Sequence, residues 1–292
     1  MLGLSDKSWL LDMLQGQAMA AGQAAPAAVY DAYFGLGHCL RLIDDARVFK
    51  VSLAGMALGA CLTRLLDQAD LEGRLLDLGT GSGALALLLR SLGATDITGS
   101  DIVPEAVTLA AQNELLNFPD AAVRFMQSDL FDGLRDSDAR FDTIVFNPPG
   151  WRTPSDDFLR QLEHLGDASM APASMFYGDS TLLRFLLELP DRLNAGGKAI
   201  VGLNSLVGIQ DVLTRYRAVC NGASPLRFRL LERHTFPLLF YTETWRQLRT
   251  PLQMEFKRWR ERSRAAYTVD GHGNLYWSYE LIECRIGGGG AS

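Results

Sequence analysis

Long apolar runs are missing from this 292-residue chain. No stretch approaches the roughly 18 apolar residues that a membrane-spanning helix needs, which excludes one. The run at 85–89 is only the centre of a short helix. Paired cysteines are missing too: Cys39, Cys61, Cys220 and Cys284 stand far apart with no C-x-x-C spacing. The four histidines, His38, His164, His234 and His272, are equally scattered. Neither a disulfide framework nor a metal site is therefore expected. Basic excess is absent, since 28 Lys and Arg face 34 Asp and Glu for a formal charge of −6. That balance argues against nucleic-acid binding by broad phosphate contact. A signal peptide is not evident, because Asp6 and Asp12 interrupt the short apolar pair Leu10 and Leu11; the expected location is the cytoplasm. Long like-charged tracts are lacking as well. With 48% apolar residues, the chain has material for one large core and a small appendage.

The pattern along the chain divides near residue 50. Trp9, Leu10, Met13 and Leu14 follow a helical spacing over 8–21, and Tyr30, Tyr33 and Phe34 fall on one face of a second predicted helix. Residues 1–50 thus read as a helical cap or lid, residues 51–286 as the main domain, and 287–292 as a flexible tail. A helix is predicted over 53–66. From Arg74 onward short apolar runs alternate with helical segments, the pattern of a parallel sheet with crossover helices. Strands are predicted at 75–78, 97–100, 123–127, 143–146, 198–203, 228–232 and 276–284. Helices fall at 84–92, 104–117, 179–193 and 209–220. An insertion over 237–270 carries a further helix at 252–266.

The first of these strands runs into Asp77, Leu78, Gly79, Thr80, Gly81, Ser82 and Gly83, with a helix beginning at Ala84. Glycines at such a turn let the backbone approach a ligand closely. Strand, glycine loop and helix at the carboxyl edge of a parallel sheet form the expected ligand crevice. The spacing is G-x-G-x-G and not the G-x-G-x-x-G of dinucleotide folds, and Asp77 is poorly placed beside a diphosphate. An acid there suits a ligand carrying an ammonium group. The second strand ends in Asp101 and Ile102, where a carboxylate can accept both hydroxyls of a ribose. The third ends in Asp129 and Leu130, where an adenine amino group would lie. Three carboxylates with no lysine in the loop describe a cationic adenosyl ligand.

DLGTGSG, SDI, SDL and FDTIVFNPPGW, in that order, resemble the class I S-adenosylmethionine-dependent methyltransferases over about residues 50–205. The resemblance implies a Rossmann-like α/β fold with a seven-stranded, mostly parallel sheet whose last strand is antiparallel, here beside the N-terminal helical cap. It implies S-adenosyl-L-methionine as cofactor, with Asp77, Gly79, Thr80, Gly81 and Gly83 around its methionine part. It further implies Asp101 on the ribose, Ile102 against the adenine face, and Asp129 with Leu130 at the adenine edge.

The fourth strand ends in Asn147, Pro148, Pro149, Gly150 and Trp151. Two prolines fix the backbone and remove two amide donors, leaving carbonyl oxygens free to face the crevice. Methyl transfer is an in-line displacement that needs positioning more than a strong base. Acceptors on the Asn147 side chain and the Pro148 carbonyl would hold the N–H groups of an amide or amino nitrogen and aim its lone pair at the methyl. An amide at the edge of a crevice is expected to add little to the core. The segment resembles the amino-methylating branch of the family, including the release-factor glutamine methyltransferases and several adenine and guanine methyltransferases. That branch usually has an aromatic residue after N-P-P, where this chain has Gly150, with Trp151 as a substitute one position on. The missing ring weakens the case for a nucleobase acceptor. The short stretch before Asp77 disfavours a release-factor substrate.

Tyr177 is a candidate for the crevice, where its ring would attract a sulfonium, and alternatively a packing residue. Asn204 and Ser205 end the fifth strand on the same edge, as acceptor contacts or as caps. Lys257, Arg258, Arg260, Arg262 and Arg264 surround Trp259 on the inserted helix. They read as a contact for an anionic partner or as a solvated face with Phe256 and Trp259 turned inward. The expected activity is N-methylation of a small amine or amide, with protein or RNA acceptors behind it and no membrane partner. The first alternative is cyclisation of the cofactor itself to azetidine-2-carboxylic acid with release of methylthioadenosine. The second is a non-catalytic adenosyl-binding scaffold.

Overall fold

The computed structural model describes residues 28–134, 139–164, 175–239 and 246–287. The helix predicted over 8–21 and the tail after residue 287 lie outside the described residues. The large sheet holds β3 (Arg74–Leu78), β4 (Asp96–Asp101), β5 (Arg124–Gln127), β6 (Phe141–Phe146), β7 (Leu193–Asn204), β8 (Leu226–Pro237) and β10 (Leu275–Ile286). Their order across the sheet is β5-β4-β3-β6-β7-β10-β8, with the short β9 (Thr268–Val269) pairing only with β10. From β5 to β7 every pairing is parallel. β10, last in sequence, is antiparallel to both of its main neighbours. All seven predicted strands are present, as is the antiparallel last one.

The central strands are apolar throughout because helices cover both faces of the sheet. On one face α1 (Leu53–Leu65) and α3 (Ala84–Ser91) join Leu75, Val145, Ile200, Tyr279 and Leu281 in one buried cluster. On the other, α6 (Gly178–Glu188) and α7 (Ile209–Val219) join Leu76, Ile144, Phe146 and Val201. Local signals set the helix ends. Ser52 caps α1 by accepting from the Gly55 amide, Asp67 and Asp70 form a capping box on α2 (Gln68–Glu72), and Pro104 opens α4 (Pro104–Asn117). A third cluster seats α8 (Arg249–Glu261), through Leu252, Phe256 and Trp259, against Trp151, Phe158 of α5 (Asp156–His164) and Phe176. The inserted helix therefore starts and stops earlier than its predicted 252–266. Among the described residues no helix is long and apolar enough to cross a membrane.

Residues 28–43 correct the expectation of a helical cap. They form an antiparallel hairpin, β1 (Val29–Gly35) and β2 (His38–Ile43), turning through Gly35, Leu36 and Gly37, all with positive φ. Tyr30, Tyr33 and Phe34 do not share a face: Phe34 is buried and Tyr33 is 58% exposed. Ala32, Phe34, Leu40 and Leu42 enter the core by strand alternation. Two asparagines of α4 hold β2 in place of another strand. Asn117 Oδ1 accepts from the Arg41 amide at 2.9 Å, its Nδ2 donates to the Arg41 carbonyl at 2.7 Å, and Asn113 Oδ1 accepts from the Ile43 amide at 2.8 Å.

Candidate active site

The glycine loop follows β3, the central parallel strand, and its shape is held by Asp77. That buried carboxylate accepts from Thr80 Oγ1 at 2.6 Å and from the Ala86 amide at 3.0 Å, tying the loop to the start of α3. Burial pushes the Asp77 carboxyl up to about 7, against the pull of those two bonds. Gly79, Gly81 and Gly83 all have positive φ. At Gly81 a side chain would meet nothing within 4 Å, so the crown of the loop opens on free space, whereas at Gly83 it would meet Ala110 of α4 at 2.9 Å. One glycine leaves room for a ligand and the other lets two helices close.

Asp101, at the end of β4, lies across from this crown. Its carboxylate accepts from the Gly81 amide at 2.8 Å and the Val103 amide at 2.9 Å, and burial raises its pKa. Ile102 is 58% exposed, an unusual setting for an isoleucine and one that leaves its side chain free to pack on a flat ligand. The third strand end departs from expectation. Asp129 is paired with Arg184 of α6 at 3.0 Å, and Leu130, with positive φ, buries its side chain in the core below. The Asp129 side chain is 43% exposed beside Arg184, and Leu130 presents its backbone and not its side chain at this strand end.

Asn147 and Pro148 follow β6, next to β3 in the sheet. Asn147 Oδ1 accepts from the hydroxyl of Tyr279 on β10 at 2.7 Å, and its Nδ2 lies 3.8 Å from where a side chain on Gly55, in the first turn of α1, would begin. Gly150 is matched to Asn204: a Cβ there would stand 2.6 Å from Asn204 Nδ2. The space beside this backbone is thus already taken by an amide. Trp151 does not stand in for the missing ring, because it is buried edge-on against Phe176 and Phe256, each at 5.3 Å. Asn204 Oδ1 caps Leu206, while Ser205 Oγ donates to the Ala266 carbonyl and accepts from the Ser278 amide. Ser205 is therefore a structural cap.

The chain after N-P-P is clamped on several sides. Arg152 is buried and donates to the carbonyls of Val207 and Arg264 and to the carboxylates of Asp179 and Asp211. Glu255 of α8 accepts from the Ser155 amide and hydroxyl and from Trp259 Nε1. Tyr177 opens α6 with φ 65°, and the Gly178 amide donates to the Trp151 carbonyl at 2.7 Å. Its backbone is thus joined to the loop while its ring is 44% exposed. Lys257, Arg258, Arg260, Arg262 and Arg264 are exposed, with Phe256 and Trp259 buried behind them.

Residues 44–159 match the family model described as methyltransferase small domain. A putative protein N5-glutamine methyltransferase of Methanocaldococcus jannaschii is 32% identical over 157 residues, which cover 53% of this chain and 73% of that protein. The chain belongs to the class I S-adenosylmethionine-dependent methyltransferases. A release factor glutamine methyltransferase of Rhodopirellula baltica is 38% identical over 47% of each chain. A tRNA1(Val) (adenine(37)-N6)-methyltransferase of Mannheimia succiniciproducens is 38% identical over 36% of this chain and 42% of its own. The methyltransferase thus spans about half or less of the length of these last two relatives. The acceptors named for these relatives are a protein or an RNA, which corrects the expectation of a small-molecule partner with protein and RNA behind it.

The donor set fits S-adenosylmethionine: carboxylates at Asp77 and Asp101, an open glycine crown and no cation in the loop. Val51, Ser52 and Tyr279 had no site role in the sequence reading, and Tyr30 had one only as part of the expected cap. Val51 and Ser52 bring α1 to the site, Tyr30 holds the Val51 amide at 3.2 Å, and Tyr279 reaches Asn147. Tyr279 left one trace in the sequence, Gly202, which interrupts the apolar run 199–203 of β7.

Proposed function

We propose that this methyltransferase methylates the side-chain amide nitrogen of a glutamine in a protein. The observation that carries the reading is the 32% identity to a putative protein N5-glutamine methyltransferase over 73% of its length, and Gly150 paired with Asn204 leaves no ring beside Asn147 on which a nucleobase would stack. The names of the relatives support the same class of acceptor. S-adenosylmethionine, when bound, supplies a methyl group on a sulfonium centre open to in-line attack. The chain's residues do the positioning. Asp77 would hold the ammonium group of the cofactor and Asp101 its ribose hydroxyls, with the open glycine crown beside them. Asn147 Oδ1 and the Pro148 carbonyl accept the N–H groups of the acceptor amide, which turns its nitrogen toward the methyl. Backbone clamps through Arg152 and Glu255 keep that geometry from relaxing.

Incubation with methyl-tritiated S-adenosylmethionine and, separately, purified release factors and bulk tRNA tests the reading. Label in the release-factor arm, mapped to a glutamine by mass, is the expected result. Label in the tRNA arm alone transfers the acceptor to RNA. Methylthioadenosine formed with neither present favours cyclisation of the cofactor.

A further inference from the structure

Tyr279 is the only described residue that donates a hydrogen bond to the Asn147 side chain, and it comes from 132 positions away in sequence. Its ring is 1% exposed. The hydroxyl reaches Asn147 by crossing over β7, and the crossing is possible only because residue 202 is glycine. A Cβ at Gly202 would lie 1.8 Å from the Tyr279 hydroxyl oxygen and 2.4 Å from the ring carbon that bears it. Asn204, two positions on, is the cross-strand partner of Tyr279, so the same pair of strands sets both polar groups of the acceptor side.

The two ends of an asparagine amide are nearly equal in shape but opposite in hydrogen bonding, an acceptor oxygen and a donor NH2, so the partner at one end decides which way the group faces. We propose that Tyr279 is a positioning residue for methyl transfer: by donating to Asn147 Oδ1 it fixes that oxygen, and not Nδ2, toward the accepting nitrogen. A carbonyl oxygen has two lone pairs, so one accepts from Tyr279 and the other stays free for an N–H of the acceptor. A reversed amide would present a donor to a donor and push the acceptor away. The hydroxyl is suited to this task because burial raises its pKa far above the working range and keeps it a donor. The inference rests on methyl transfer at Asn147 and holds for a glutamine or a nucleobase nitrogen.

The test is a double-mutant cycle between Tyr279→Phe and Asn147→Ala, read with whichever of the release-factor and tRNA arms takes label. Tyr279→Phe keeps the ring, and its kcat is expected to fall about tenfold with the KM for S-adenosylmethionine within twofold. In the Asn147→Ala chain the same change should lower kcat by less than twofold, because the group it acts through is gone. A role confined to core packing gives losses that multiply, and that result overturns the proposal, as does an unchanged kcat in Tyr279→Phe alone. If the phenylalanine chain does not fold, 3-fluorotyrosine at 279 retains ring and hydroxyl. It should then alter kcat at least twofold with Asn147 present and leave it unchanged with Asn147→Ala; equal effects in both overturn the proposal. A readout free of any acceptor is the Asn147 side-chain amide signal in an ¹⁵N spectrum, assigned by its loss in Asn147→Ala. That pair of resonances should shift or broaden in the Tyr279 variant, and an unmoved pair refutes the positioning bond, whatever the acceptor proves to be.

Discussion

Asp77 illustrates how one buried carboxylate serves both the fold and a ligand. Its carboxyl is raised by burial from 3.8 to about 7, so the folded chain holds the proton more tightly than the unfolded one. The stabilisation is fully present below 3.8 and is lost as pH rises through about 7. An ammonium group set against the carboxylate reverses that preference. S-adenosylmethionine affinity should therefore rise between about pH 6 and pH 8 with release of a proton, measured by calorimetry in buffers of different ionisation enthalpy. Asp77→Asn should flatten this dependence, weaken binding at least tenfold and melt no lower than the parent at the alkaline end. A flat profile in the parent would remove Asp77 from the ammonium site. Asp101→Ala should weaken binding through loss of charge-assisted bonds worth about 1.5–3 kcal/mol each. Unchanged affinity in a folded variant would detach Asp101 from the ribose. For Asn147→Ala, affinity should stay within about tenfold, or 1.4 kcal/mol, while turnover falls on the order of 100-fold. Its bond from a buried tyrosine adds a consequence that a bare crevice-edge amide would not have. Loss of the amide strands the Tyr279 hydroxyl, so the variant should also be less stable by about 1–3 kcal/mol in urea melts.

Among the elements, the hairpin β1–β2 was the hardest to read and the strands of the large sheet the easiest. Tyr30, Tyr33 and Phe34 satisfy a helical spacing, yet the burial of Ala32 and Phe34 follows the period of two that a strand requires. Gly35 and Gly37 around Leu36 were the better guide, since a two-glycine turn suits a hairpin more than a helix end. The central strands were legible because burial on both faces leaves compact apolar runs bounded by Gly, Asp and Asn. The glycine loop and N-P-P were legible for the same reason: each is a local string at a strand end. The hairpin matters to the site through Asn113, whose Oδ1 accepts from Ile43 while its Nδ2 donates to the Ser82 carbonyl in the glycine loop at 2.8 Å. Asn113→Ala leaves two backbone groups unpaired, and a loss of about 2–4 kcal/mol is expected in denaturant titration. If stability is unchanged, water replaces the amide and the hairpin is not an anchor for the loop.

For the molecule as a whole, what sequence patterns conceal is what distant strands exchange. The contact of Tyr279 with Asn147, the clamp of Arg152 on the carbonyl of Arg264 and the seating of α8 on Trp151 all join segments separated by about a hundred residues or more. None has a local period to betray it, because pairing partners are chosen by the sheet order and not by neighbours in the chain. That order also has a consequence in time. Of the large sheet, a chain emerging from the ribosome presents β3 to β7 first and can build the cofactor crevice from them. β8 follows, but its place lies beyond β10, which is still to be made. Until β10 slides in, β7 and β8 both display open edges, the kind of surface on which nascent chains stick to one another. The same late strand brings Tyr279. A half-synthesised molecule can thus have a crevice for the cofactor without the bond that orients Asn147, and competence for transfer arrives together with the closing of the sheet.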